Sequence, residues 1–267
     1  MKPVAAIVVA LALVGCSAHT TQHAVPQTTP APPKHKAPPK PRIVYPHRRP
    51  VPILEYHVVG APPAGAPFPE LYVRRSEFAA QLAWLQRHGY QAVSLSRVYD
   101  YWTRGFALPP RPVVLSFDDG YPQDFTNVRP LLLRHHWPAV LNLAVQNVLD
   151  RKLTIAQLRT MVRDGWEIAA HTLTHPDLTT LDTAELRHQV AGSRQWIRRR
   201  LHVPVEFFCY PSGRYDAAVL KAVRSAGFKG ATTEVQGFAS PRDGFLTLDR
   251  VRVNLSDSLA TFAAKLG

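Results

Sequence analysis

The chain has little cysteine: Cys16 and Cys209 are the only two in 267 residues, which excludes a disulfide framework as the means of holding the fold together. It also lacks a hydrophobic run long enough to span a bilayer. The apolar stretch Val4 to Val14 is about eleven residues, against the roughly 20 that a spanning helix needs. Acid is absent from the first fifty residues, so Lys2, Lys34, Lys36, Lys40, Arg42, Arg48 and Arg49 give that segment +7 of the formal +13. The remaining 217 residues carry 25 basic and 19 acidic side chains, a mild excess that suits an anionic cell surface. No basic helix with interleaved aromatics is present, so nucleic acid is not expected as a partner. An internal repeat is missing as well, and nothing marks a second domain.

What is present at the N-terminus is an export signal. Lys2 provides a positive start, the short apolar run follows, and the run ends in "LVGC" at residues 13 to 16. That ending resembles a bacterial lipobox, with Cys16 as the lipidated first residue of the mature chain; the alternative is an ordinary signal peptide with an incidental cysteine. Residues 1–16 are therefore read as a lipoprotein signal peptide and residues 17–50 as a basic, disordered tether. Between 24 and 50, nine of 27 residues are proline, which forbids helix and sheet interiors and leaves a semi-rigid spacer. The expected location is exported, lipid-anchored to the cell membrane and facing the periplasm or cell wall, with a monomer as the expected state.

The chain is 46% hydrophobic, enough for residues 51–267 to build a sizeable core. "VPILEYHVV" (51–59), "PVVLSFDD" (112–119), "PAVLNLAV" (138–145), "WEIAAHTL" (166–173) and "VEFFCYP" (205–211) have the β-branched and aromatic content of buried strands. Residues 76–89, 154–165, 182–201 and 216–227 show apolar i, i+3, i+4 spacing and begin near Ser, Thr or Asp. Strand followed by helix, repeated, predicts an α/β fold: a single distorted or incomplete (β/α) barrel of about seven parallel strands.

The chemistry-bearing residues fall where such strands end. Asp118 and Asp119 close one, His57 the first, His171 and His175 of "HTLTH" another, and "CYPSGRYD" (209–216) a fourth. One carboxylate and two neutral imidazoles suit a divalent transition metal with open positions. A bound cation would also offset the repulsion between adjacent aspartates and leave the second as a proton acceptor for water. Pro176 disfavours helix at His175, which places the histidine pair on a loop. Singly, each feature has an ordinary structural explanation: Asp-Asp-Gly as turn or N-cap, two surface histidines four apart, one hydrogen-bonded histidine at a strand end. Their joint placement is what points to chemistry.

With these residues in view, the chain resembles the polysaccharide deacetylase family, carbohydrate esterase family 4, with its NodB-type domain, over roughly residues 51 to 255. "SFDDG" (116–120) matches the motif TFDDG and implies Asp118 as catalytic base and Asp119 as metal ligand. "HTLTH" (171–175) matches H[S/T]xxH and implies His171 and His175 as the other ligands. "CYPSG" (209–213) corresponds to RxPYG and puts Tyr210, Pro211 and Ser212 at the oxyanion or substrate side, the Ser212 backbone N–H being the donor. Cys209 stands where the family has the arginine that orients the base, and no histidine follows His202. Both departures resemble the poly-N-acetylglucosamine deacetylase branch, which opens on a "YH" strand, and imply His57 as general acid, with Asp249 and Arg250 as candidates for the missing partners. The resemblance implies zinc, with cobalt or nickel as alternatives, and a hydrolase that removes N-acetyl groups from N-acetylglucosamine units of an exported polysaccharide. Peptidoglycan N-acetylglucosamine or an O-acetylated polymer is the alternative substrate. A catalytically impaired wall-binding lipoprotein is the alternative of another kind. Tyr121, Tyr210, Tyr215 and Trp102 are candidates for stacking on sugar rings.

Overall fold

The protein's computed structural model describes residues 47–267; the signal segment, Cys16 and nearly all of the tether lie outside the described residues. Seven strands form the ring: β1 (Ile53–Tyr56), β2 (Arg111–Asp119), β3 (Val140–Leu143), β4 (Glu167–Ala170), β5 (Phe207–Cys209), β6 (Gly230–Gln236) and β7 (Leu248–Arg252). Each pairs in parallel with its sequence neighbour from β2 to β7, and β1 pairs with both β7 and β2, so the barrel closes. A further short strand, Tyr90–Ala92, pairs with the start of β2 outside the ring. The distortion expected from the sequence is visible between β6 and β7, where the register shifts between Leu248 and Arg250.

Helices fill the connections: α1 (Arg75–Arg87), α2 (Leu95–Arg104), α3 (Arg129–His135), α4 (Val145–Leu149), α5 (Ile155–Arg163), α6 (Thr183–Leu201), α7 (Ala217–Ser225) and α8 (Leu259–Ala264). Their starts follow from side chains that satisfy the otherwise orphaned first amides. Thr154 and Gln157 form a capping box on α5, Asp182 accepts from Ala184 and Glu185, and Asp216 accepts from Val219.

The alternation of side chains along each strand sorts the barrel into layers. Outward residues such as Leu54, Leu115, Phe117, Leu141 and Phe208 pack in the large core shared with the helices. Inward, the lower layer is apolar: Ile53, Val114, Val140, Ala169, Phe207 and Leu248 meet Leu95, Val98 and Trp102 of α2, which plugs that end. Two residues further along the strands the inward positions turn polar and buried: Glu55, Ser116, Asn142, His171, Thr232 and Arg250, with Asp118 above Ser116. Chemistry therefore collects at the C-terminal mouth, and Trp102 is on the wrong side for sugar: it is fully buried, its indole N–H bonded to the Arg49 carbonyl.

Candidate active site

Asp118 points inward from β2 and is 1% exposed. An isolated charge there would be prohibitive, and the fold compensates it with a guanidinium from β7, on the other side of β1. Arg250 Nη1 and Nη2 donate to Asp118 Oδ1 and Oδ2, each at 2.9 Å, while Arg250 Nε donates to the Thr233 carbonyl at 2.7 Å. Asn142 Nδ2 adds a bond to Oδ1 at 2.7 Å, and the Cys209 thiol faces Oδ2 at 3.6 Å. Burial opposes ionisation of Asp118, but Arg250 above all, and His57 after it, hold the carboxyl well below the usual carboxylate range. His57 Nε2 lies 3.9 Å from Oδ2. The neighbouring Cys209 thiol is pushed up by burial and stays neutral.

Asp119, one residue on, turns the other way. Its backbone adopts φ 74°, followed by Gly120 at φ 87°, where an added Cβ would meet Leu143 Cδ1 at 2.7 Å. The strained turn is held by Asn147 Nδ2, which donates to the Asp119 carbonyl at 2.8 Å, and Lys152 in turn donates to Asn147 at 2.8 Å. The Asp119 carboxylate then faces two imidazoles on the loop after β4: Oδ1 is 3.5 Å from His171 Nε2 and 3.6 Å from His175 Nε2. His171 Nδ1 is 2.8 Å from the Cys209 carbonyl, an acceptor only, so Nδ1 carries the proton and Nε2 presents its lone pair. Burial lowers the His171 pKa and favours this neutral form. His175 and Thr172 take positive φ, and the Thr172 hydroxyl accepts the His175 amide at 2.9 Å.

These three donors fit a divalent cation. Their ligating atoms lie within 4.8 Å of one another. Glu55–His57–Asp118 and Asp118–His171–Cys209 are equally compact, but both need Asp118, whose two oxygens already face Arg250. Of these three clusters among the described residues, the Asp119 set is the one that meets solvent without a fixed cation beside it.

The set opens on a cleft of about 550 Å³ whose walls include His57, Asp118, Tyr121, Asn147, Ser212 and Arg252, with Phe68 at 59% exposure on its rim. A larger depression of about 1160 Å³ runs along α6 past Arg187, Arg198 and Arg199; none of the site residues lines it. Burial first, then Asp119 through charge and a hydrogen bond, keeps the Tyr121 hydroxyl protonated. Ser212, at φ 52°, is the member of "CYPSG" that reaches the cleft. Tyr210 and Pro211 are buried and absent from its walls, and the Tyr210 hydroxyl donates to the Leu246 carbonyl. Tyr215 packs against Tyr210. Of the late pair, Arg250 reaches Asp118; Asp249 instead packs against Gly237. Sequence reasoning missed Asn142, Asn147 and Glu55. Asn142 and Glu55 leave a signal, a single polar residue inside an apolar strand; Asn147 leaves none.

A buried aspartate facing a histidine and an Asp–His–His donor set at the C-terminal mouth of a closed parallel barrel fit a (β/α)-barrel hydrolase. Residues 107–231 match the family model of the polysaccharide deacetylases. YxkH of Bacillus subtilis (strain 168), described as a polysaccharide deacetylase, is 28% identical over 215 residues, covering 80% of this chain and 75% of that protein. The poly-beta-1,6-N-acetyl-D-glucosamine N-deacetylase of Escherichia coli (strain K12) is 26% identical over 238 residues, 73% of this chain but 35% of that protein. Among solved structures, the Streptococcus pyogenes deacetylase PplD in complex with acetate gives a TM-score of 0.78 at 24% identity, covering 83% of this chain and all of that one. IcaB from Ammonifex degensii gives 0.70 at 24% identity, covering 81% and 97%. At such identities the two structures speak for the fold. Residues 107–231 thus form a domain of the polysaccharide deacetylase family.

Proposed function

We propose that this chain is a metal-dependent N-deacetylase that hydrolyses the acetamide of N-acetylglucosamine units in an exported or cell-surface polysaccharide. The observation that carries the reading is the pairing of Asp118 with Arg250 beside the Asp119–His171–His175 set. Cys209 leaves the family's usual arginine position empty, and a guanidinium arriving from β7 takes over its work. That argues against a binding-only protein, which would have no use for a buried, ionised carboxylate at the cleft.

Asp119, His171 and His175 would hold the metal, zinc by donor type, with cobalt or nickel as alternatives. When bound, it supplies Lewis acidity that polarises an acyl carbonyl and makes water nucleophilic near neutral pH. The rest belongs to the protein. Asp118, kept ionised by Arg250, accepts a proton as the water oxygen adds to the acetyl carbon. The Ser212 backbone N–H donates to the oxygen that gains charge. His57 delivers a proton to the nitrogen as the C–N bond breaks, giving acetate and a free amine.

The domain assigned to this work is residues 51–267. Cys16 and the tether would place it outside the cell, lipid-anchored at the membrane and acting as a monomer, without nucleic acid as a partner. The similarity to a poly-beta-1,6-N-acetyl-D-glucosamine N-deacetylase supports that polymer as first substrate. The test is acetate release from poly-β-1,6-N-acetylglucosamine, acetylated chitooligosaccharides and peptidoglycan, each with wild type and Asp118→Asn. Release by wild type and its loss in the variant are expected; equal turnover by both would remove Asp118 as base.

A further inference from the structure

Glu55 has no role in the mechanism above, yet it is a fully buried carboxylate on the inward face of β1, two residues from His57. Neither of its oxygens has a hydrogen-bond partner among the described residues. Three cationic or potentially cationic groups converge on it instead: Arg250 Nη2 at 3.3 Å, Arg252 Nε at 3.5 Å and His57 Nδ1 at 4.0 Å. The fourth neighbouring charge is Asp118, which shares Arg250 with it.

The charges can be paired off. Arg250 is matched by the two-point contact with Asp118, and Arg252 by Glu234, whose carboxylate its Nη1 meets at 2.8 Å. Glu55 is then left without a cation of its own, burial raising its pKa against the pull of Arg250, and the remaining polar group beside it is the His57 ring. Structure alone gives no reason to keep it, because an apolar side chain of similar volume at a buried charged position is often neutral or stabilising. We propose that Glu55 is a positioning residue: its carboxylate, 4.0 Å from His57 Nδ1 and 3.3 Å from Arg250 Nη2, aims the imidazole's Nε2 at the cleft and fixes the guanidinium that holds Asp118. One carboxylate thereby orients both the acid and the base. This assignment rests on the deacetylase reading of the cleft.

Two measurements test it. The first is independent of turnover: nitrogen NMR of the neutral His57 ring in the wild-type chain. A proton on Nδ1 is expected, since the Asp118 oxygen 3.9 Å from Nε2 already accepts from Arg250, whereas the Glu55 oxygen facing Nδ1 has no donor of its own among the described residues. A ring protonated mainly at Nε2 would overturn the proposal, whether or not any polymer is deacetylated. The second is a double-mutant cycle on acetate release with Glu55→Gln and His57→Ala. Glu55→Gln should lower kcat by about 10- to 100-fold, the usual loss on removing an orienting partner, with KM within about twofold. On the His57→Ala background the same change should lower kcat less than about threefold, because a partner that acts through His57 has nothing left to act on. Equal losses on both backgrounds, or a KM effect without a kcat effect, would make Glu55 structural. Absence of acetate release by wild type would defeat the functional reading and leave the NMR result to decide the role of Glu55.

Discussion

Replacing Arg250 by Met keeps an unbranched stem and removes the guanidinium. With it go the hydrogen bonds to both oxygens of Asp118 at 2.9 Å, to the Thr233 carbonyl at 2.7 Å and to Ser116 Oγ at 3.4 Å, and the ion pair with Glu55 at 3.3 Å. Two buried carboxylates remain, with Arg252 and His57 beside them. Removing one partner of a buried ion pair costs about 3–5 kcal/mol, and an orphaned carbonyl adds about 1–3 kcal/mol. The loss should depend on pH in a defined direction. Asp118 has a depressed pKa in the folded protein, so the stability it contributes is present above its unfolded value of 3.8 and is lost as pH falls through the folded value. Without Arg250 that contribution is gone, so the gap between variant and wild type should hold from neutrality down to about pH 4 and narrow below it. Urea unfolding at about pH 7.5 and about pH 3 reads both quantities. Arg250→Lys should fall between the two proteins, since an ammonium restores charge without the two-point fork. An Arg250→Met protein within about 1 kcal/mol of wild type at pH 7.5, and still dependent on Asp118 for turnover, would refute the reasoning.

Other substitutions probe separate parts of the barrel. Asp119→Ala should weaken zinc binding by more than about 100-fold in a competition titration, since one of the three proposed ligands is lost. Burial pushes the Glu167 carboxyl from 4.5 up to about 7, so a folding cost that a neutral side chain avoids builds between those two values and is complete above about 7. Glu167→Gln should therefore be more stable than wild type by about 1–2 kcal/mol at pH 8, discounted for partial exposure, and gain little at pH 4.5, as urea midpoints will show. Trp102→Ala should cost about 3–5 kcal/mol by emptying the barrel floor, while the milder Trp102→Phe leaves KM for the polymer unchanged. Gly213 has φ 63° and its Cβ would meet the Glu234 amide at 2.9 Å, so Gly213→Ala should lower both stability and kcat by displacing Ser212.

Much of the barrel was legible because its first five strands are runs of β-branched and aromatic residues with breakers at their ends. β6 and β7 were harder, since "GATTEVQ" and "LDRVR" carry the inward polar layer and lose the apolar signature. Helix α2, with Val98 and Trp102 facing the lower barrel, was unread for a different reason: its packing partners come from six strands. At the site, aspartates and histidines at strand ends stood out because a strand terminus exposes its last side chains to one mouth. Arg250 was only half legible. It lies 132 residues from Asp118, and the closed ring that brings β7 to the far side of β1 from β2 is a property no local pattern carries. Trp102 and Tyr210 show the reverse: large aromatics suggested a sugar platform, and the barrel uses them as packing.

Metal-dependent deacetylation is tested by acetate release from poly-β-1,6-N-acetylglucosamine, using chain stripped of metal and then titrated with zinc. The stripped protein should release none, activity should recover until it saturates at one zinc per chain, and His171→Ala should show no recovery. Release that is undiminished by stripping, or recovery that survives loss of His171, would contradict the assignment of Asp119, His171 and His175 as the metal-holding set of a deacetylase.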